Sequence, residues 1–236
     1  MQKNSGILRG GERLTIGGPS IRAASGNTRQ LVILCHGYGA DGNDLIGLAP
    51  HWQDMLPDAD FIAPNAPERC DMGFGYQWFP ISRLDPVELM RGIEGAAPIL
   101  NQFIDEELQK RGLDESALAL VGFSQGTMMS LHVGLRRAKP PVAILGYSGA
   151  LAGADRLASE IRVRPPIMLI HGDSDDMLPV SRMYEAAEAL GAVGLSVQWH
   201  VCAGLGHGID PEGLGLGGHF IVQAFSGAFS DAGTAK

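Results

Sequence analysis

Six short apolar runs punctuate the chain, at residues 31–35, 61–63, 118–121, 142–145, 167–170 and 195–202. Most place Val, Ile and Leu at consecutive positions rather than alternating them with polar residues. That pattern belongs to strands buried on both faces, as in a parallel sheet. Between the runs lie stretches with apolar residues at helical spacing. The clearest covers residues 86–111, where Met90, Ile93, Ala97, Leu100, Ile104 and Leu108 form one stripe. Asp85 suits its N-cap, Pro86 its first position and Glu88 a capping box, and Lys110, Arg111 and Gly112 read as its stop. Pro98 inside it predicts a kink or a break. Further helices are predicted over 43–55, 125–138, 180–190 and 219–229. Strands alternating with helices predict an α/β fold, a mostly parallel twisted sheet with helices on both faces. One domain is expected over 1–236, with 1–12 and 230–236 frayed. In such a sheet ligands bind beyond the carboxyl ends of the strands, so the loops after each run carry the candidate chemistry.

Run 118–121 is followed by Gly122-Phe123-Ser124-Gln125-Gly126, a GxSxG pattern. In a glycine-rich chain the bare pattern is weak. Its place between a buried strand and a helix makes it a strand-to-helix elbow, which exposes the serine hydroxyl at a helix N-terminus. A serine hydroxyl needs a base to become a nucleophile, and the base needs an orienting carboxylate. His171-Gly172-Asp173-Ser174-Asp175-Asp176 and Ala203-Gly204-Leu205-Gly206-His207-Gly208 follow two later runs on the same rim. The order Ser, Asp, His is that of an α/β-hydrolase. His207, in a flexible glycine-rich loop, is the best base. His132, His200 and His219 fall within predicted elements and are read as structural. Asp173, Asp175 and Asp176 are not separable on these grounds, and any of them could instead cap the next helix. The loop His36-Gly37-Tyr38-Gly39-Ala40-Asp41-Gly42 reads either as GxGxxG for a dinucleotide or as an HGxG oxyanion loop. The dinucleotide reading needs an acid at the end of the next strand, where Pro64-Asn65-Ala66-Pro67 stands instead. In the oxyanion reading, the backbone N–H groups of Tyr38 and Gln125 hold the developing charge. Phe74, Tyr76, Trp78 and Phe79 crowd one loop and read as the wall of an apolar substrate pocket, or as local packing. Asp41, Asn43 and Asp44 fit helix capping better than a calcium loop. Ser148 lacks the elbow glycines and is read as structural.

Composition narrows the classes. With 18 basic against 26 acidic residues the net charge is −8, which argues against a nucleic-acid partner. No apolar run is long enough to span a bilayer, and no apolar signal core opens the chain, so no membrane insertion and a cytoplasmic location are expected. Cys35, Cys70 and Cys202 cannot all pair and have no metal-ligand spacing, which fits a reducing compartment.

The combination of HGYGADGND, FIAPNAP, Trp78-Phe79, GFSQG, HGDSDDMLP and GLGHGI resembles the phospholipase/carboxylesterase family of small serine α/β-hydrolases, which includes bacterial carboxylesterases and acyl-protein thioesterases. The resemblance runs from about Arg13 to Phe229. It implies an α/β-hydrolase fold without a large cap domain, Ser124 as nucleophile, His207 as base, and Tyr38 and Gln125 as oxyanion donors. It also selects the acid. The family's aspartate stands four residues before a proline, which from Pro179 gives Asp175, although here Asp176 follows where the family has proline. No metal and no cofactor are implied. The implied activity is a carboxylesterase acting through an acyl-enzyme on short- to medium-chain acyl esters. The alternatives are a lysophospholipase or acyl-protein thioesterase, then a peptidase or amidase, then a non-catalytic scaffold. The partners implied are a small acyl ester or thioester and, as in many members, a second copy in a homodimer.

Overall fold

The computed structural model describes residues 15–71, 73–81 and 85–229. The segments 1–12 and 230–236, read as frayed, lie outside the described residues. In chain order the elements are β1 (Ser20–Ile21), β2 (Gln30–Cys35), α1 (Gly42–Ile46), α2 (Ala49–Trp52), β3 (Ala59–Ile62), β4 (Glu68–Arg69), β5 (Tyr76–Gln77), α3 (Pro86–Arg111), β6 (Leu118–Phe123), α4 (Gln125–Arg136), β7 (Ala143–Tyr147), α5 (Leu157–Glu160), β8 (Ile167–Gly172), α6 (Ser181–Ala192), β9 (Val197–Cys202) and α7 (Pro211–Phe225). All six apolar runs became strands.

Seven strands form one sheet in the order β1-β3-β2-β6-β7-β8-β9, and β4 and β5 form a separate hairpin. β1 runs antiparallel to β3, and every other pairing in the large sheet is parallel. The central strands are apolar on both sides because both sides are covered. Leu31, Ile33, Leu118 and Leu120 pack under α3 and α4. Val32, Leu34, Ala119 and Val121 pack with Trp52 of α2 and Phe220 and Ile221 of α7. α6 extends the first layer through Met183, Ala186 and Leu190 against Ile144 and Leu169. The order of the parallel strands brings the carboxyl ends of β2, β6, β7, β8 and β9 to one rim.

Three predictions of local structure need correction. Residues 43–55 are two short helices, because Pro50 cannot continue α1 and instead opens α2. α3 does not break at Pro98. Glu94 and Pro98 are both exposed, so the Glu94 carbonyl that lost its N–H partner lies on the solvent side of the helix and not in the core. α7 begins at Pro211, not at 219, capped by Asp210, whose Oδ1 accepts from Gly213 N–H at 2.7 Å. Gly213, Gly215, Gly217 and Gly218 are therefore helical. Side chains at Gly217 and Gly218 would run into Tyr147 and Trp52, so these glycines bring α7 down onto the sheet.

Candidate active site

β6 ends in the elbow. Ser124 holds φ 53° and ψ −115°, a region that non-glycine residues rarely enter. The flanking glycines make the turn possible. A Cβ at Gly122 would strike the backbone of Gly126, and one at Gly126 would strike the Cys35 carbonyl of the neighbouring strand. α4 then starts at Gln125 and is buried along nearly its whole length.

The oxyanion loop follows β2. Among the described residues no partner engages the Tyr38 N–H, and the Gln125 N–H stands at the first position of α4, where no intrahelical acceptor exists. Both are free to donate to a ligand. His36 braces this loop. Its Nδ1 lies 2.7 Å from Gly37 O and its Nε2 accepts from Ala66 N–H at 2.9 Å, which assigns the neutral tautomer with the proton on Nδ1. Burial lowers its pKa, consistent with a neutral ring. Asp41 caps α1, accepting from Asn43 N–H and Asp44 N–H.

The acid loop follows β8. Asp175 Oδ1 accepts from Met177 N–H at 3.0 Å and Leu178 N–H at 2.9 Å. Asp175 Oδ2 lies 2.7 Å from His207 Nδ1. Burial alone would raise the Asp175 pKa, but the bonds from Leu178, His207 and Met177 outweigh it and hold the carboxyl below its ordinary value. Asp176 is exposed and has no side-chain partner among the described residues, and Asp173 accepts from Gly204 N–H and Ser174 Oγ. Of the three aspartates, Asp175 is the one that meets His207.

His207 sits in the loop after β9, with its ring centroid 4.9 Å from that of Phe123, the residue before the serine. Ser148, at the end of β7, also has positive φ (43°) and its Oγ donates to Gly208 O at 3.3 Å, tethering the histidine loop. The Ser124 hydroxyl makes no hydrogen bond among the described residues. Catalytic hydrogen bonds commonly tighten only when substrate is bound.

The four aromatics divide. Trp78 and Phe79 are buried in the core beneath α3, in line with the local-packing alternative. The backbone of this segment is pinned by the Gln125 side chain, whose Oε1 accepts from Trp78 N–H and whose Nε2 donates to Phe79 O, both at 2.8 Å. Tyr76 is half-buried, and Phe74, at 62% exposure, stands free next to Gly39. Met177, two residues beyond Asp175, is 65% exposed. Sequence reasoning missed the supporting roles of His36, His171 and the Gln125 side chain. The His-Gly pair at the carboxyl end of both β2 and β8 was the available signal for the two histidines. Among the described residues no cluster of three His, Cys, Asp or Glu side chains is placed to hold a metal ion.

The phospholipase/carboxylesterase family profile matches residues 16–224. The chain belongs to that family. It is a hydrolase of the carboxylesterase and acyl-protein thioesterase type with the α/β-hydrolase fold. The crystal structure of esterase PE8 superposes with a TM-score of 0.86 at 41% identity, over 89% of this chain and 99% of that one. Acyl-protein thioesterase 1 of Gibberella zeae is 30% identical over 214 residues, 83% of this chain and 91% of that protein. Esterase YpfH of Escherichia coli is 29% identical, over 79% of each. No helix among the described residues is long and apolar enough to cross a membrane.

Proposed function

We propose that Ser124, His207 and Asp175 are the catalytic triad and that Tyr38 and Gln125 are the oxyanion donors of a carboxylesterase for short- to medium-chain acyl esters. The 2.7 Å bond between Asp175 Oδ2 and His207 Nδ1, on the rim that also carries the strained Ser124 elbow, carries this reading. His207 Nε2 takes the Ser124 proton as Oγ attacks the ester carbonyl. The negative charge that forms on the carbonyl oxygen is met by two fixed N–H donors. His207 returns the proton to the leaving alcohol, the C–O bond breaks, and the acyl group remains on Ser124. Water, deprotonated by His207, then attacks the acyl-enzyme. The acid leaves and Ser124 regains its proton. Asp175 keeps the imidazole in the required tautomer and stabilises the imidazolium.

Exposed Phe74 and half-buried Tyr76 form the apolar side of the site, with exposed Met177 on the acid loop. An open wall with few aromatics suits short and medium acyl groups. The same apparatus cleaves thioesters, and the similarity to acyl-protein thioesterases keeps that chemistry as the second reading. Three buried free cysteines support a reducing, cytoplasmic setting.

The test is kcat/KM on matched oxoesters and thioesters of increasing acyl length, with Ser124→Ala as control. The expected result is a maximum for short or medium oxoesters and a loss of at least about 10³-fold in Ser124→Ala. Retention of more than a few per cent of turnover in Ser124→Ala would remove Ser124 from the role. A clear preference for long acyl thioesters would replace the carboxylesterase reading with the thioesterase one.

A further inference from the structure

A His-Gly pair stands at the carboxyl end of two of the parallel strands, His36-Gly37 directly after β2 and His171-Gly172 as the last residues of β8. Each histidine is buried, and each binds the loop that follows it. His36 braces the oxyanion loop. His171, 1% exposed, braces the acid loop. Its Nε2 lies 2.7 Å from Leu178 O and 3.2 Å from Asp175 Oδ2. Both neighbours are acceptors, so that nitrogen carries a hydrogen. Leu178 N–H donates in turn to Asp175 Oδ1. His171 thus donates to the Leu178 carbonyl while Leu178 N–H holds Asp175 Oδ1, and the edge of the His171 ring faces Oδ2 at 3.2 Å.

A carboxylate offers about four lone-pair positions. Here Met177 N–H and Leu178 N–H fill those of Oδ1, His207 bonds Oδ2, and the polar edge of His171 lies 3.2 Å from Oδ2. Only one orientation of the carboxyl makes these three bonds with the His171 N–H beside Oδ2. Other ionisable groups nearby are held elsewhere. Asp173 is bound by Ser174 Oγ and Gly204 N–H, Asp210 by Cys202 Sγ and Gly213 N–H, and Asp176 is exposed.

We infer that His171 is a positioning residue of the acyl-transfer site, holding the acid loop through Leu178 O and placing its Nε2–H beside Asp175 Oδ2, so as to fix the carboxylate plane and moderate its pull on the His207 proton. This rests on the reading of Asp175 as the catalytic acid. An N–H dipole beside Oδ2 stabilises negative charge there and draws it away from the imidazole. Without it the imidazolium of His207 is held more strongly, and the base loses its proton at higher pH. The carboxyl is also less firmly oriented, and a loosely oriented base slows proton transfer.

The experiment compares wild type, His171→Leu and His171→Gln in pH profiles of kcat and kcat/KM on one oxoester, with thermal melting of each. Leucine approximates the volume without a donor. The cavity beside His171 is only about 10 Å³, so at most one water is there to replace the bond. His171→Leu is expected to lose kcat on the order of tenfold with KM within about twofold, and to move the acid limb up by about half a pH unit. His171→Gln, which keeps an N–H at similar reach, is expected to restore most of the lost kcat and return the limb towards wild type. An unmoved limb in a folded His171→Leu, or a glutamine variant no better than leucine, overturns the inference. If His171→Leu does not fold, His171→Gln decides alone. Native melting with a wild-type limb and kcat within about threefold sustains the role, and a tenfold loss ends it. Labelling of wild-type Ser124 by a fluorophosphonate separates the two questions. Absent labelling sinks the triad itself, whereas normal labelling with an unmoved limb in His171→Leu sinks only the role of His171.

Discussion

Ser124 and Ser148 are the two described non-glycine residues with positive φ, and they close the adjacent strands β6 and β7. Backbone in this region costs on the order of 1–3 kcal/mol and persists where surroundings over-determine it. At Ser124 the surroundings are two glycines that admit no side chain. Gly126→Ala places a methyl group inside the Cys35 carbonyl of β2, and a backbone atom does not give way cheaply. The variant is expected to lose about 3 kcal/mol or more in denaturant unfolding, or to fail to fold. A loss below about 1 kcal/mol would mean that α4 shifts freely and that the elbow is not tightly built. At Ser148 the hydroxyl on Gly208 O gives the strain a use, since it tethers the residue next to His207. The sequence alone marked Ser148 as structural because the elbow glycines are missing. Its backbone angle was not written in any local pattern, because sheet pairing imposes it: Ser148 N–H donates to Ile170 O of β8.

At the scale of elements, legibility followed the strength of the local code. α3 was readable to the residue, because Asp85, Pro86 and Gly112 mark both ends and one apolar stripe joins them. α7 was not. Four glycines, each costing close to 1 kcal/mol in a helix, argue against helix until the close contacts of Gly217 with Tyr147 and of Gly218 with Trp52 are known. β1 and the β4–β5 hairpin were invisible, since two-residue strands carry no periodicity. The aromatic segment was seen as a cluster, but its division into buried and open halves depends on Gln125, whose side chain reaches across 47 positions to Trp78. Gln125→Leu keeps the backbone N–H of the oxyanion site and removes both side-chain bonds. Trp78 N–H and Phe79 C=O are then buried without partners, at about 1–3 kcal/mol each. The expected outcome is a stability loss of about 2–5 kcal/mol and faster proteolytic cleavage within residues 70–80, read by mass spectrometry. Unchanged protection of that segment would show that core packing of Trp78 and Phe79 holds it without Gln125.

For the whole molecule, the chemistry of the rim was legible because nucleophile, acid and base each sit at a strand end, a placement that topology enforces. The polar supports beneath them were not, because a buried histidine is recognisable only by what surrounds it. Those supports set how the fold responds to acid. His132, on α4 among Glu94, Arg136, Arg156 and Glu160, has its pKa lowered to about 4, chiefly by burial. The unfolded chain binds a proton there at its ordinary value near 6.5, while the native protein waits until about 4. A proton bound first by the unfolded state means stability lost as pH falls across that interval, at about 1.4 kcal/mol per unit and about 3 kcal/mol in all. His36, also lowered by burial, adds in the same direction. Asp60 and Glu107, paired with Arg111 at 2.8 and 2.6 Å, act in a lower window. Burial raises each, but their hydrogen bonds and the Arg111 charge more than compensate, so their folded values are depressed. Their contribution is complete above the ordinary carboxylate range and is lost as pH falls below about 4. Urea unfolding is therefore expected to show a decline that begins near pH 6.5, before any carboxylate titrates, and steepens below 4. His132→Gln has no proton to take up and should flatten the upper part of that decline while leaving the lower part in place. A wild-type profile level from pH 7 to 4.5, or a His132→Gln profile as steep as wild type in that interval, would show that His132 is not the group through which acid first loosens the fold.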